Sequence, residues 1–185
     1  MSLQERYDVV VSGGGFAGLS LAIALADAGI SVAIIERNTI NDQLEPQFDG
    51  RVCAIALGSK YVLDNIGVWE GMLPYAEPIL DIRVSDGNMP FFLHYDHDDV
   101  ARQTGGAPFG YIVENRYMRQ ALAARARAMP DLTFIENDQV DRLDAGADSI
   151  IINTAQGKTL TANLIVGAEG KHSKVRKLAG IKEVN

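Results

Sequence analysis

Six residues, Gly13-Gly14-Gly15-Phe16-Ala17-Gly18, constrain this chain more than any others. They fit G-x-G-x-x-G, and their flanks give the string meaning that it lacks alone. Before them Tyr7 to Val11 is a short apolar, β-branched run, the pattern of a strand buried on both faces. After them residues 16 to 28 are rich in Ala and Leu without an internal breaker, which predicts a helix that Gly29 stops. Ser31 to Glu36 predicts a second buried strand. Strand, helix and strand in so short a span form a βαβ unit, with parallel strands and a right-handed crossover.

In that setting Gly13 permits the tight turn, Gly15 lets the backbone approach a pyrophosphate, and Gly18 lets helix and strand pack closely. The anion would rest on the helix start at Phe16 and Ala17, where N–H groups and the macrodipole favour negative charge. Ala22 and Leu25 are expected to face the sheet. Glu36 ends the second strand, where a carboxylate accepts from both ribose hydroxyls and disfavours a 2′-phosphate; Arg37 follows it as a further candidate. These residues point to an ADP-bearing dinucleotide and leave FAD and NAD equally open.

Farther along, Asn38 to Gly50 reads as loop, and Ser59 as the N-cap of a short helix over Lys60 to Ile66 ended by Gly67. Ile79 to Ser85 and Phe91 to Tyr95, joined by Asp86-Gly87-Asn88, predict a hairpin. Asp96 to Gly110 is expected to be a mobile loop. Tyr111 to Val113 predicts a strand, Arg116 to Met129 a helix stopped by Pro130, and Leu132 to Ile135 another strand. Runs at Gln139–Leu143, Ser149–Thr154 and Lys158–Thr161 predict a three-stranded meander, and Leu164 to Ala168 a last buried strand ending in Gly-Ala-Glu-Gly. The fold class is α/β, a Rossmann-like domain with a parallel sheet and a meander.

Bulk properties narrow the function. With 17 basic and 24 acidic residues the formal charge is -7, which argues against nucleic acid as a partner. A local cradle of N–H groups can still hold phosphate on an acidic chain. Cys53 is the single cysteine, so an internal disulfide is excluded and a reducing compartment fits. The polar start has no signal-peptide core, and Asp27 and Gly29 interrupt the one long apolar run, so a cytoplasmic location is expected.

Three segments resemble the para-hydroxybenzoate hydroxylase superfamily, in particular its ubiquinone-biosynthesis branch of 2-polyprenyl-6-methoxyphenol hydroxylase-like enzymes. One is the βαβ fingerprint through Glu36. The second is Asp49-Gly50-Arg51-Val52-Cys53-Ala54-Ile55-Ala56-Leu57, continuing to Asn65-Ile66-Gly67-Val68-Trp69, similar to D-G-R-x-x-A-L and L-x-x-x-G-V-W with one extra residue before Leu57. The third is Gly167-Ala168-Glu169-Gly170-Lys171-His172-Ser173-Lys174-Val175-Arg176, similar to G-A-D-G-x-x-S-x-V-R. Tyr111-Ile112-Val113-Glu114-Asn115-Arg116 resembles the branch's Y-x-V-E-N before a helix.

The resemblance implies FAD as cofactor, NAD(P)H as transient reductant, and hydroxylation by O2 of a small aromatic substrate, polyprenylated quinone precursors among them. It implies that Arg51 lies near flavin and pyrophosphate, where a guanidinium fork matches phosphate oxygens; a surface arginine capping a loop is the plainer reading. It places the Asn115 amide against the cofactor, where a helix N-cap is the alternative. The Val140 backbone would reach the adenine. Glu169 and Gly170 would lie beside ribose and pyrophosphate, with Glu169 standing where Asp is usual; Ser173 and Arg176 would hold that turn. His172 is expected to be exposed and inert. The resemblance also implies a discontinuous FAD-binding domain over 1–75 and 110–185, with 76–109 a partial β insert from a substrate domain. Its members run to about twice this length, so an amino-terminal part of a longer enzyme is expected, one meeting a membrane peripherally at its inner face.

No catalytic residue is assigned, because a flavin carries the chemistry in such enzymes. His94-Tyr95-Asp96-His97-Asp98-Asp99 offers imidazoles and carboxylates, but without metal-ligand spacing it reads as a solvated loop. The alternatives are another FAD enzyme on this scaffold, such as a halogenase or reductase, and a nucleotide-binding module without activity.

Overall fold

A computed structural model describes residues 5–44, 47–87 and 91–182. In chain order the elements are β1 (Glu5–Ser12), α1 (Phe16–Asp27), β2 (Val32–Ile35), α2 (Asn41–Leu44), β3 (Val52–Ala56), α3 (Leu57–Asn65), α4 (Trp69–Met72), β4 (Ala76–Ile79), β5 (Asp81–Ser85) and β6 (Phe92–Asp96). Then follow α5 (Ala101–Thr104), β7 (Gly110–Glu114), α6 (Asn115–Arg127), β8 (Leu132–Ile135), β9 (Val140–Ala145), β10 (Ile150–Thr154), β11 (Thr159–Gly167) and α7 (Lys174–Leu178). They form two compact units, 1–46 with 122–185, and 47–121, a wider middle segment than the expected 76–109 insert.

The first unit is built on a six-stranded sheet in the order β8-β2-β1-β11-β10-β9. β1 runs parallel to both β2 and β11, and β2 parallel to β8. All four residues of β2 are buried, and each fully buried aliphatic side chain contributes about 1.5–3 kcal/mol. Helix α1 buries Gly18, Leu19, Ala22, Ile23 and Ala26, the stripe that a 3.6-residue period selects. Leu25, expected to face the sheet, is only half-buried at the edge of that stripe. Gly29, at φ +77°, ends the helix.

Two readings change here. The runs at 158–161 and 164–168 are one strand, β11, which pairs along its length with β1 from Leu160 opposite Glu5 to Gly167 opposite Ser12. Its first half also pairs antiparallel with β10, so the meander is continuous with the parallel sheet. Asn163 lies between the two expected runs, where Arg6 donates to its Oδ1 at 3.2 Å and its amide donates to Asp8 Oδ1 at 3.2 Å. Leu164 is 54% exposed, so this end of the strand is not buried on both faces as its apolar run suggests. The second change is α2 inside the expected 38–50 loop. Thr39 and Asp42 cap it reciprocally, each backbone N–H donating to the other's side chain at 3.1 and 3.2 Å, a capping box with Asp in place of Glu.

In the second unit β3, β7 and β4 form an antiparallel sheet with β7 in the centre. Neither β3 nor β4 was expected. Pro78 reads as punctuation, but β4 is an edge strand, where a residue without an N–H is tolerated. Ile55, Leu63, Ile66, Val68, Trp69, Met72 and Val113 are buried, and Trp69 meets the ring edge of Tyr111 with centroids 4.8 Å apart. Helix α3 starts at Leu57, capped by Ala56 rather than Ser59, because the extended end of β3 leads straight into it. The hairpin forms as expected from β5 and β6; the tip of its Asp86-Gly87-Asn88 turn lies outside the described residues. The expected 96–110 loop contains a one-turn 3-10 helix at His97–Val100, whose start Asp96 caps, and α5, which Gly105 ends at φ +66°.

Candidate dinucleotide site

The glycine turn hangs from the ends of two strands. Gly13 N–H donates to Ile35 O at 2.8 Å, and Ala168 N–H donates to Ser12 O at 2.7 Å. Gly13 has φ +104°, and a Cβ there would lie 2.6 Å from Ala168 O. A Cβ on Gly18 would collide with Gly13 O. At Gly15 nothing lies within 4 Å of where a Cβ would sit. Gly13 and Gly18 are therefore required by the protein's own backbone, whereas the space beside Gly15 is open. Gly15 is the extended N-cap of α1, no side chain caps the helix, and its first turn carries no acid. The leading amides of a helix have no acceptor within it, so Ala17 and Gly18 head a surface that suits a pyrophosphate.

Glu36 is already oriented. Its Oε2 accepts from Gly14 N–H at 2.6 Å and its Oε1 from Asn38 N–H at 3.1 Å. A carboxylate has about four acceptor positions, so two remain for hydroxyl groups. Arg37 beside it is exposed. Val140 is wholly buried, backbone included, with its side chain in the core beside Val10, Ile135 and Ile152.

The connector from β8 to β9 contributes a residue that the sequence reading missed. Asp138 is 3% exposed, its N–H donates to Glu36 O at 3.0 Å, and its Oδ1 accepts from Gln139 and Gln156 N–H at 2.8 and 3.0 Å. The Asn137-Asp138 pair before a strand is the available sequence signal, since both residue types favour turns that bond their own backbone. Asn137 takes φ +55°.

Glu169 serves the start of α7. Its Oε2 accepts from Ser173 Oγ at 2.5 Å and from Val175 N–H at 3.0 Å, and Ser173 Oγ accepts from Arg176 N–H at 3.1 Å. The longer side chain thus holds the turn, with Arg176 donating to Lys171 O at 2.8 Å. Gly170 follows, exposed at φ +81°, and His172 is exposed as expected.

In the second unit Arg51 grips Asp49, with Nε 3.0 Å and Nη2 2.7 Å from Oδ2. The Arg51 side-chain hydrogen bonds hold the Asp49 carboxyl below the usual range, aided by the Arg51 backbone N–H and the charge of Arg119. Arg51 remains 65% exposed. The β3–β7 register brings Asn115 to it, so that Asn115 N–H donates to Arg51 O at 3.0 Å. Asn115 opens α6, is 7% exposed, and its Oδ1 is buried without a hydrogen-bond partner. It therefore does not act as a side-chain N-cap. A cofactor amide or hydroxyl donor fits that orphaned oxygen.

The histidine segment differs from a free loop. In the β5–β6 register Asp81 lies opposite Asp96 and diagonal to His94, whose Nε2 is 2.5 Å from Asp81 Oδ1; Asp81, His94 and Asp96 gather their side-chain ligand atoms within 4.8 Å, as do Asp96, His97 and Asp98. These are carboxylate–imidazole contacts between partly exposed side chains.

Residues 6–185 match the FAD binding domain family. The ubiquinone hydroxylase UbiL of Rhodospirillum rubrum is 41% identical over 97% of this chain and 41% of its own length. The 3-demethoxyubiquinol 3-hydroxylase of Escherichia coli is 29% identical over 94% of this chain and 44% of its own length. The chain thus spans less than half the length of these relatives. In fold it is similar to p-nitrophenol 4-monooxygenase PnpA of Pseudomonas putida, with TM-score 0.76 and 24% identity, covering 96% of this chain and 44% of that one.

Proposed function

The chain belongs to the FAD-binding domain family, and from that premise we propose that it holds FAD within a monooxygenase that hydroxylates an aromatic ring with O2 and NAD(P)H. The observation that carries this reading is the open space beside Gly15 at the start of α1, where the N-cap residue offers no side-chain cap. FAD, when bound, supplies the electron transfer and oxygen chemistry that amino-acid side chains cannot.

The chain's own residues bind and orient. Gly13, Gly15, Phe16, Ala17 and Gly18 receive the pyrophosphate, Glu36 and Arg37 the ribose, and the Val140 backbone the adenine. Glu169 and Gly170 shape the end of β11, with Glu169 acting through the α7 turn. Arg51 and Asn115 serve the flavin side, Asn115 Oδ1 as an acceptor. We assign 1–75 and 110–185 to the cofactor domain and 76–109 to a substrate-domain insert. The substrate class is an electron-rich phenol, polyprenylated quinone precursors included, in keeping with the ubiquinone hydroxylases among the relatives. Such a substrate would bring a cytoplasmic enzyme to the inner face of a membrane peripherally. Among the described residues no helix is long and apolar enough to cross one.

Reconstitution tests the reading. Added FAD should lose fluorescence and co-elute with the protein, and in the longer enzyme a phenol should stimulate NAD(P)H oxidation. Binding of ADP without any binding of FAD would sink the proposal.

A further inference from the structure

We infer that Asp138 is a positioning residue for the adenosine end of the cofactor; the inference rests on the FAD reading above. Asp138 lies on the connector between β8 and β9, two residues before Val140 and hydrogen-bonded through its backbone to Glu36. The Glu36 backbone is held on both sides by this one segment. Its N–H donates to Ile135 O at 2.9 Å, and its carbonyl accepts from Asp138 N–H at 3.0 Å. The direction in which Glu36 leaves β2, and so where its carboxylate stands, follows from where the connector runs.

The connector's path is set in turn by the Asp138 carboxylate. One oxygen, Oδ1, gathers the N–H of Gln139 from its own turn and the N–H of Gln156 from the turn between β10 and β11. Ala155 N–H closes the same link by donating to Gln139 O at 2.9 Å. Asp138 thereby ties three segments: its carboxylate joins the connector to the β10–β11 turn, and its backbone N–H joins the connector to the end of β2. Asn137 in its left-handed conformation and Glu136, whose Oε1 accepts from Ile40 N–H at 2.8 Å, complete the latch. Oδ2 is buried and accepts no hydrogen bond. A carboxylate in such a place costs desolvation free energy. Its return is the fixed geometry of the two adenosine-side candidates that flank it.

The test uses Asp138→Ala and Asp138→Asn in this chain. Dissociation constants for ADP and FAD are measured by calorimetry and flavin fluorescence. Binding of inorganic pyrophosphate, which needs only the glycine turn, is followed through the Gly15 amide shift by NMR. Asp138→Ala leaves two N–H groups without an acceptor and should weaken ADP and FAD about tenfold or more, with pyrophosphate changed by less than about twofold. Asp138→Asn keeps an acceptor at Oδ1 and should recover most of the loss. Unchanged ADP affinity in Asp138→Ala, or equal loss of ADP and pyrophosphate, would overturn the assignment. Failure of the wild-type chain to bind ADP or FAD would overturn the cofactor reading itself, and this inference with it.

Discussion

A methyl group is the smallest probe of the glycine turn, and Gly13 and Gly15 answer it differently. Gly13→Ala forces a positive φ and a clash with Ala168 O, so it should lower stability by about 1–3 kcal/mol in chemical denaturation. A Cβ at Gly15 meets nothing within 4 Å, so Gly15→Val should cost the apo chain less stability than Gly13→Ala, chiefly through the poorer N-cap, while weakening FAD at least about tenfold. A parallel fall in stability and affinity in Gly15→Val would remove the argument for a cradle there. These contrasts were legible in the glycine string, because its spacing encodes the turn. The bond from Gly14 N–H to Glu36 across 22 positions was not. It depends on where the end of β2 stops against the turn, which no local pattern records. Asp138 escaped for the same reason: the partner that makes it a tie, Gln156, comes from a turn 18 positions away.

Elements with a strong period or a clear breaker were read correctly, among them α1, β2, β8 and the β5–β6 hairpin. Those that failed were decided by pairing. β3 and β4 are short and interrupted by small or proline residues, and they exist because β7 pairs with both. β11 is one strand because Asn163 finds partners on β1. The turn into α7 gives a test at this scale. Ser173→Ala removes an N-cap that also donates to Glu169, and should cost about 1 kcal/mol of stability by denaturant titration. The hairpin gives another. The His94 hydrogen bond holds the Asp81 carboxyl below its ordinary range, against an opposing effect of desolvation. The pair therefore favours the folded hairpin at pH above the ordinary carboxylate range and loses that effect as pH falls through the lowered value. His94→Ala should move the Asp81 titration midpoint upward in carbon-detected NMR; an unmoved midpoint would show that the pair does not form in solution.

For the molecule as a whole, apolar surface is unevenly distributed. Ile82 pairs with Tyr95 and Val84 with Leu93, so the four share one face of the β5–β6 ribbon, and all are exposed. A groove of about 610 Å³ in the first unit is lined by Leu143, Ile150, Ile165, Val175, Leu178 and Ile181. Surfaces of this kind bind apolar dyes and promote association. Anilinonaphthalene sulfonate fluorescence should therefore be high for the isolated chain, and Leu93→Lys should reduce both dye binding and concentration-dependent light scattering. The central sheet carries a different implication. β1 opens the chain, yet its second parallel neighbour is β11, and the glycine turn is closed by Ala168 donating to Ser12. During synthesis the βαβ unit emerges well before its partner strand, which is more than a hundred residues farther along. Pairings so distant in sequence form late, so a nascent chain would gain its nucleotide cradle only once residues 159–168 are free of the exit tunnel.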